Sequence, residues 1–275
     1  MEENKVQPSR VMERVNFYGF WGVHAAPLAA FWTGVTGRAL FLGFVLYWTR
    51  MFVVTAGYHR YFAHRSFRTS RFMQFLIALL GTTVLQKGPI WWAAQHRHHH
   101  KYSDKPEDVH SPVQHGFWQS HMGWVASGKN AATDLRLVPD LLRYPELRWL
   151  DEYHWVAPAV LTIACYFIAG GSGVAVGMGW STVILWHSIF TINSIAHVFG
   201  KRRYATHDDS RNNWFLALLT MGEGWHNNHH HCMNSARQGF FWWEIDLSYY
   251  LIRFAAAIGL VQDVKEPPPE VFRSP

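Results

Sequence analysis

Residues 153–200 read YHWVAPAVLTIACYFIAGGSGVAVGMGWSTVILWHSIFTINSIAHVFG, a run of 48 positions without one Asp, Glu, Lys or Arg. A bilayer core about 30 Å thick needs about 20 apolar residues as helix, so the run holds two crossings, divided at Gly170-Gly171-Ser172-Gly173. The spacing predicts spans at about 153–171 and 174–198. Upstream, a second hairpin is expected at about 17–34 and 38–57, with a Gly/Thr-rich turn between its arms. No acidic residue occurs between Glu13 and Asp104. Arg50 lies inside the second arm, where it could snorkel toward the aqueous face or bond a polar neighbour. The rest of the chain is too short to wrap two such hairpins in a soluble core.

Composition agrees. The 275 residues are 49% hydrophobic and 16% charged, against about 25% charged in soluble domains, and this excludes a disordered chain. Two cysteines, Cys165 and Cys232, make no disulfide framework. Of the basic residues, only Arg38 falls in the two outer turns. Apart from Arg50, the others precede the first span, lie between the hairpins or follow the last span, which places both termini and the middle segment in the cytoplasm. The expected fold is therefore all-α: an integral, multi-pass membrane protein with four transmembrane helices and a cytoplasmic helical cap. It forms one domain over 1–275, with the cap built from 58–152 and 199–275, in a bacterial inner membrane or the ER membrane. The net charge of +6 is assigned to orientation and anionic lipid; no nucleic-acid motif is present and no nucleic-acid partner is expected. The polar N-terminal stretch reads as no signal peptide. The apolar residues 72–94 are read as an interfacial or half-buried helix, because a full span would carry the next histidine cluster to the opposite side.

Most of the 18 histidines are clustered. Residues three and four apart share a helical face, so His96, His99 and His100 point together, as do His226, His229 and His230; Asn193 and His197 form a third pair. His59 and His64, five apart, do not keep one α-helical face, and one is expected at the helix end with the other on the following turn. His98 and His231 fall off the common faces. The lone His24, His154, His187 and His207 are read as packed or solvated. Nine convergent imidazoles exceed what one ion takes, since four ligands satisfy a zinc site, so two metals are implied; imidazole suits iron, copper, zinc and nickel alike. No acidic residue lies in an apolar span, which removes the carboxylate-bridged bundle scheme. Glu223, Asp104 and Asp108 are instead expected to orient ligand imidazoles.

The stretches His59-x4-His64, His96-x2-His99-His100 and His226-x2-His229-His230 resemble the three histidine boxes of membrane fatty-acid desaturases. Thr55-Ala56-Gly57-Tyr58-His59-Arg60, Gly116–Trp124, Asn193-Ser194-Ile195-Ala196-His197 and Gly222-Glu223-Gly224-Trp225-His226 resemble the stearoyl-CoA (Δ9) branch, in a bacterial-type form without a fused cytochrome b5. The similarity runs from about 38 to about 264. The resemblance implies a di-iron centre in the cap, with His59, His64, His96, His99, His100, His197, His226, His229 and His230 as ligands and catalytic groups, and Asn193 holding a metal-bound water. It also implies substrate-binding roles: Trp92 and Phe190 flanking a bent acyl chain, Tyr47 near the closed end of its tunnel, and Gln86 and Lys129 toward the polar head. Lys87, Ala94 and Gly128 depart from the animal pattern that holds CoA, while Lys129 keeps to it, which leaves an acyl-lipid or carrier-protein substrate open beside acyl-CoA.

Such a centre, with two Fe ions and O2 as co-substrate, implies oxygen-dependent desaturation of a saturated fatty acyl chain, acyl-CoA Δ9-type first. The product gains no oxygen, so two electrons must come from outside. The chain has no Gly-x-Gly-x-x-Gly fingerprint and no iron–sulfur cysteine set. A separate donor, cytochrome b5 or a ferredoxin with its reductase, is expected. The rival within di-iron chemistry is a hydroxylase or ketolase of alkanes, sterols or carotenoids. A rival of another class is a histidine-rich metal transporter or zinc receptor, which would need polar ligands near the bilayer midplane.

Overall fold

A computed structural model describes residues 5–6, 10–127 and 129–273; the side chains of residues 5–6, 10–12 and 129 lie outside that description. The chain is mostly helical, with two-residue ladders pairing Lys5–Val6 with Thr133–Asp134 and Arg68–Thr69 with Val261–Gln262. Helix α1 (Arg10–Ala25) is followed by a 3₁₀ turn at Ala26–Ala29 and a short turn at Ala30–Thr33. The arm expected at 17–34 is thus interrupted at Pro27, which has no N–H to continue the helix. Gly34, at φ 72°, reverses the chain. Helix α2 (Gly37–Phe52) starts where the Thr36 hydroxyl accepts from the Ala39 N–H at 3.2 Å. It runs directly into a π-helix over Val53–Ala63, six residues past the expected end of that arm.

Residues 71–102 form two helices where the sequence reading expected one apolar element. Helix α3 (Arg71–Thr82) has 12 residues, about 18 Å of rise, too short to cross a bilayer. A turn at 83–88, with Leu85 and Lys87 at φ 60° and 62°, then leads to α4 (Pro89–Tyr102). Helix α5 (Pro145–Glu152) packs on α4. Helix α6 (Val156–Ser172) ends at a reversal in which Ala169 and Gly170 leave helical conformation. A Cβ placed on Gly173 would stand 2.1 Å from the Cys165 carbonyl oxygen. Those residues would be about 12 Å apart along a straight helix, so the chain has folded back as the glycine run predicted. It returns as a π-helix over Gly173–Trp180 and then α7 (Ser181–Asn193). Helices α8 (Trp214–Leu219), α9 (His226–His231) and α10 (Leu247–Ala257) complete the chain.

Among the described residues, two helical stretches are long and apolar enough to cross a membrane, Gly37–Ala63 and Val156–His197, the second divided by the reversal. They pack through small residues: a Cβ on Gly43 would meet the Val176 carbonyl at 3.2 Å, and one on Gly177 would meet Leu42. The two reversals lie together, where the Thr36 N–H donates to Ser172 Oγ at 3.2 Å. The outward faces are apolar, as at Phe31, Phe41, Phe44, Phe167 and Ile163. Arg50, left open by the sequence, is buried and does not snorkel. Its guanidinium donates to the carbonyls of Leu46 and Thr83 and to the hydroxyls of Ser181 and Thr182.

Candidate metal centre

At the end of the bundle opposite the two reversals, three helical segments and one turn deliver histidines to a common interior. Helix α4 begins with Pro89 after Gly88, and its free Ile90 and Trp91 N–H groups donate to Asp151 Oδ1 at 3.0 and 2.9 Å, a cap supplied by α5. Its last turns carry His96, His99 and His100. Helix α9 is too short to hold itself, and the asparagines between its histidines anchor it. Asn227 Oδ1 accepts from the Arg203 and Tyr204 N–H groups at 2.8 and 2.7 Å, and Asn228 Nδ2 donates to Glu244 at 2.9 Å. His59 sits within the π-helix and His64 at its end. A π-helix bonds i to i+5, and the His64 N–H donates to the His59 carbonyl at 3.1 Å, so a spacing of five is here one turn. The sequence reading separated these two residues because it assumed α-helical geometry. His197 ends a 3₁₀ turn after α7.

All nine expected imidazoles converge, and they divide into two sets. His59, His64, His96, His100 and His229 form one; His99, His197, His226 and His230 form the other. Within each set the potential donor atoms lie within 4.8 Å of one another. Nε2–Nε2 separations are 2.8 Å for His64–His96, 2.9 Å for His96–His100, 2.9 Å for His100–His229 and 3.1 Å for both His59–His229 and His197–His226. Neighbouring nitrogens about 2.1 Å from one ion at right angles stand about 3.0 Å apart, so the donor set fits metals. His230 Nε2 is buried with no hydrogen-bond partner, a cost that a metal would remove.

Carboxylates hold the opposite ring nitrogens. Nδ1 of His99 faces Asp108 at 2.9 Å, His197 faces Asp104 at 2.9 Å, His230 faces Asp208 at 2.6 Å, and His59 pairs with Glu223. An Nδ1–H held in this way leaves Nε2 free as the donor. Glu223 also accepts from Arg60, itself fully buried and paired with Asp246. Burial, with neighbouring imidazoles, holds His64, His96, His100, His226 and His229 well below the usual range, in the neutral form a metal requires. Burial likewise lowers His230, to about 4. Burial opposes ionisation of Asp104, but His197 and Ser111 outweigh it and the group sits at about 2.

An apolar cavity of about 260 Å³ adjoins the centre, and His96, Asn193, Trp92, Phe190, Gln86 and Lys87 are among the side chains that line it. Trp92 stacks on His96 and donates to Gln86 Oε1 at 3.1 Å. Tyr47 is not part of that lining; its hydroxyl donates to the Leu219 carbonyl at 2.7 Å. The Lys129 side chain lies outside the described residues. Lys87 sits over the Trp91 ring, and burial brings its amine down to about 8. His98 and His231 join neither set, as expected; His231 stacks on Tyr204.

Three features escaped the sequence reading. Asp208 carries no spacing signal, because it reaches His230 across an irregular loop. His110, whose only sequence signal is the Glu107-x-x-His110 spacing, touches the other oxygen of Asp108 at 2.8 Å and lines the cavity. His24 and His187, read as isolated, stand with their Nε2 atoms 3.3 Å apart, and His187 bonds His121 at 2.9 Å.

A helical bundle whose one end gathers nine imidazoles into two metal-sized sets has the architecture of a histidine-box membrane protein with a candidate metal centre. Residues 29–262 match the family model described as fatty acid desaturase, and the chain belongs to that family. It is 36% identical to the sn-2 palmitoyl-lipid 9-desaturase of Nostoc sp. (strain 36), over 91% of this chain and 90% of that one. It is 39% identical to acyl-CoA 5-desaturase AL21 of Anemone leveillei, over 90% of this chain and 77% of the relative. It is also 39% identical to a chloroplastic palmitoyl-monogalactosyldiacylglycerol delta-7 desaturase of Arabidopsis thaliana. That match covers 84% of this chain, which spans only 63% of the plant protein's length.

Proposed function

We propose that the protein is an oxygen-dependent desaturase that introduces a double bond into a saturated fatty acyl chain within a membrane. The observation that carries this reading is the division of nine buried imidazoles into sets of five and four beside an apolar cavity. Two iron ions held by these sets would supply the dioxygen activation that removes two hydrogens from adjacent methylenes, with two external electrons completing the reduction of oxygen to water.

The chain's own residues then have distinct tasks. Glu223, Asp104, Asp108 and Asp208 fix the ring orientation of His59, His197, His99 and His230. Asn193, on the cavity wall, is read as the hydrogen-bond partner of a water beside the metal position. Methylenes are chemically alike, so selection of one bond is positional. Trp92 and Phe190 are assigned to the walls flanking the chain, Gln86 and Lys129 to its polar end, and Tyr47 to the region behind the closed end.

For the carrier we place an acyl-lipid ahead of acyl-CoA. Lys87 is the sole Lys or Arg among the described side chains lining the cavity, whereas the phosphates of CoA call for several cations. The relatives named as lipid desaturases support this choice. Four crossings, about 17–34, 37–63 and the two arms of 156–197, with both termini on the histidine side, follow from the basic residues. Exposed basic residues such as Lys101, Lys105 and Arg148 offer docking charge for an acidic cytochrome b5 or ferredoxin.

Expression in a desaturase-deficient host, with double-bond mapping of the fatty acids, tests the reaction. Products lacking two hydrogens are expected; products carrying an added oxygen would favour the hydroxylase or ketolase. His99→Ala and His229→Ala should each abolish the double bond, and activity surviving both would overturn the assignment. A transporter is disfavoured because both histidine sets sit at helix ends, away from the middle of the spans.

A further inference from the structure

Three imidazoles outside both metal sets stand in single file through the bundle. His24 on α1 bonds its own Phe20 carbonyl through Nδ1 at 2.8 Å and meets His187 Nε2 at 3.3 Å. His187, on α7, meets His121 Nε2 through Nδ1 at 2.9 Å, and His121 Nδ1 lies 3.0 Å from Ser194 Oγ. Imidazoles among apolar spans are costly and, where present, tend to serve a site. This file ends at the turn that supplies Asn193 and His197.

At that turn α7 must stop. Ser194 has left regular helix (φ −101°, ψ −69°), and a 3₁₀ turn, Ile195–His197, swings His197 toward His226. The last carbonyls of a helix lack partners within it, and here two of them are met from the turn and from a neighbouring segment. The Phe190 carbonyl accepts from the N–H and the hydroxyl of Ser194, and the Asn193 carbonyl accepts from Ser120 Oγ at 2.9 Å. With its hydrogen committed to Phe190, the Ser194 oxygen is an acceptor, so His121 donates to it from Nδ1 and accepts from His187 at Nε2. Ser120 and His121 therefore grip two consecutive residues at the point where the chain leaves the helix.

We infer that His121 is a positioning residue for the four-histidine metal position, clamping the end of α7 so that His197 and Asn193 present to it. This rests on the reading of His99, His197, His226 and His230 as an iron site. Outer partners of metal ligands commonly contribute 10–100-fold in affinity, and His121 would act through Ser194 on a comparable scale.

The test uses the full chain in detergent, loaded with iron-57, titrated with a chelator and followed by Mössbauer spectra that resolve the two iron positions. His121→Ala should release the iron of the four-histidine set at about 10–100-fold lower chelator concentration, while the five-histidine iron holds as in wild type. His121→Asn, which keeps an N–H where Nδ1 stood, should restore wild-type retention. Wild-type retention in His121→Ala would overturn the proposal. If His121→Ala does not fold, His121→Asn decides: wild-type retention supports the clamp, and weakened retention in the folded variant overturns it. A wild-type protein that binds no iron would sink the reading of the centre itself, an outcome distinct from either variant result.

Discussion

Asp208 Oδ2 lies 2.6 Å from His230 Nδ1, joining a loop carboxylate to a candidate ligand 22 residues away. Burial works against the Asp208 carboxylate, yet His230 and Ser210 hold it well below the usual range, so the partner of the ring is an anion. Asp208→Asn keeps the shape and removes the charge, and iron affinity at the four-histidine set should fall about 10–100-fold. Chelator competition measures this. Asp104→Asn, acting on His197 in the same set, should give a similar loss, and the double variant less than the product of the two.

Asp151 gives a pH signature. Burial raises its carboxyl from 3.8 to about 6, against the opposing pull of the Trp91 and Ile90 N–H groups and of Lys87. The folded state thus holds this proton more tightly than the unfolded state. The associated stability is complete below about pH 4 and is lost as pH rises through about 6, by roughly 2–3 kcal/mol. Asp151→Asn retains an oxygen for both N–H groups and never ionises. It should therefore melt higher than wild type at pH 7.5 and show no such decline between pH 4 and 7. A parallel decline in both proteins would refute the assignment.

Arg50 has hydroxyl and carbonyl partners on three sides and no carboxylate within salt-bridge distance among the described residues. A planar guanidinium can serve all of these acceptors at once; an ammonium cannot. Arg50→Lys is expected to lower stability by about 1–3 kcal/mol, read as a drop in melting temperature in detergent, with iron content unchanged. An unaltered melting temperature would show that the hydroxyl contacts contribute little.

These residues also show what a sequence reader can and cannot obtain. The i, i+3, i+4 spacing of His96, His99 and His100 fixed their common face because α4 is a regular helix, and the same held for α9. The reversal at Gly170 was visible because a glycine run interrupts a charge-free stretch. The common face of His59 and His64 is hidden in the sequence because nothing in Val53–Ala63 announces i to i+5 bonding; only the spacing of five itself matches a π-helical turn. Asp208 and the His24–His187–His121 file depend on contacts between distant segments, which local periodicity does not encode. Arg50 stayed open because its partners, Thr83, Ser181 and Thr182, come from two other elements.

The cavity wall contributed by α1 offers a last prediction, one that separates substrate fit from folding. Gly19 lines the cavity, and a Cβ built there meets no atom within 4 Å, so a side chain can be added without moving the backbone. Gly19→Ala should stabilise the helix by about 0.5–1 kcal/mol, since glycine is the poorer helix former, and leave activity close to wild type. Gly19→Phe should fold equally well but project its ring into space that a long acyl chain would occupy. Its kcat/KM on the longest accepted chain is expected to fall at least about 10-fold, because a lost fit of roughly 1.4 kcal/mol already suffices; shorter chains should be less affected. Fatty-acid profiles of the desaturase-deficient host expressing each variant would show the shift. Equal loss on all chain lengths would mean that α1 does not border the acyl chain.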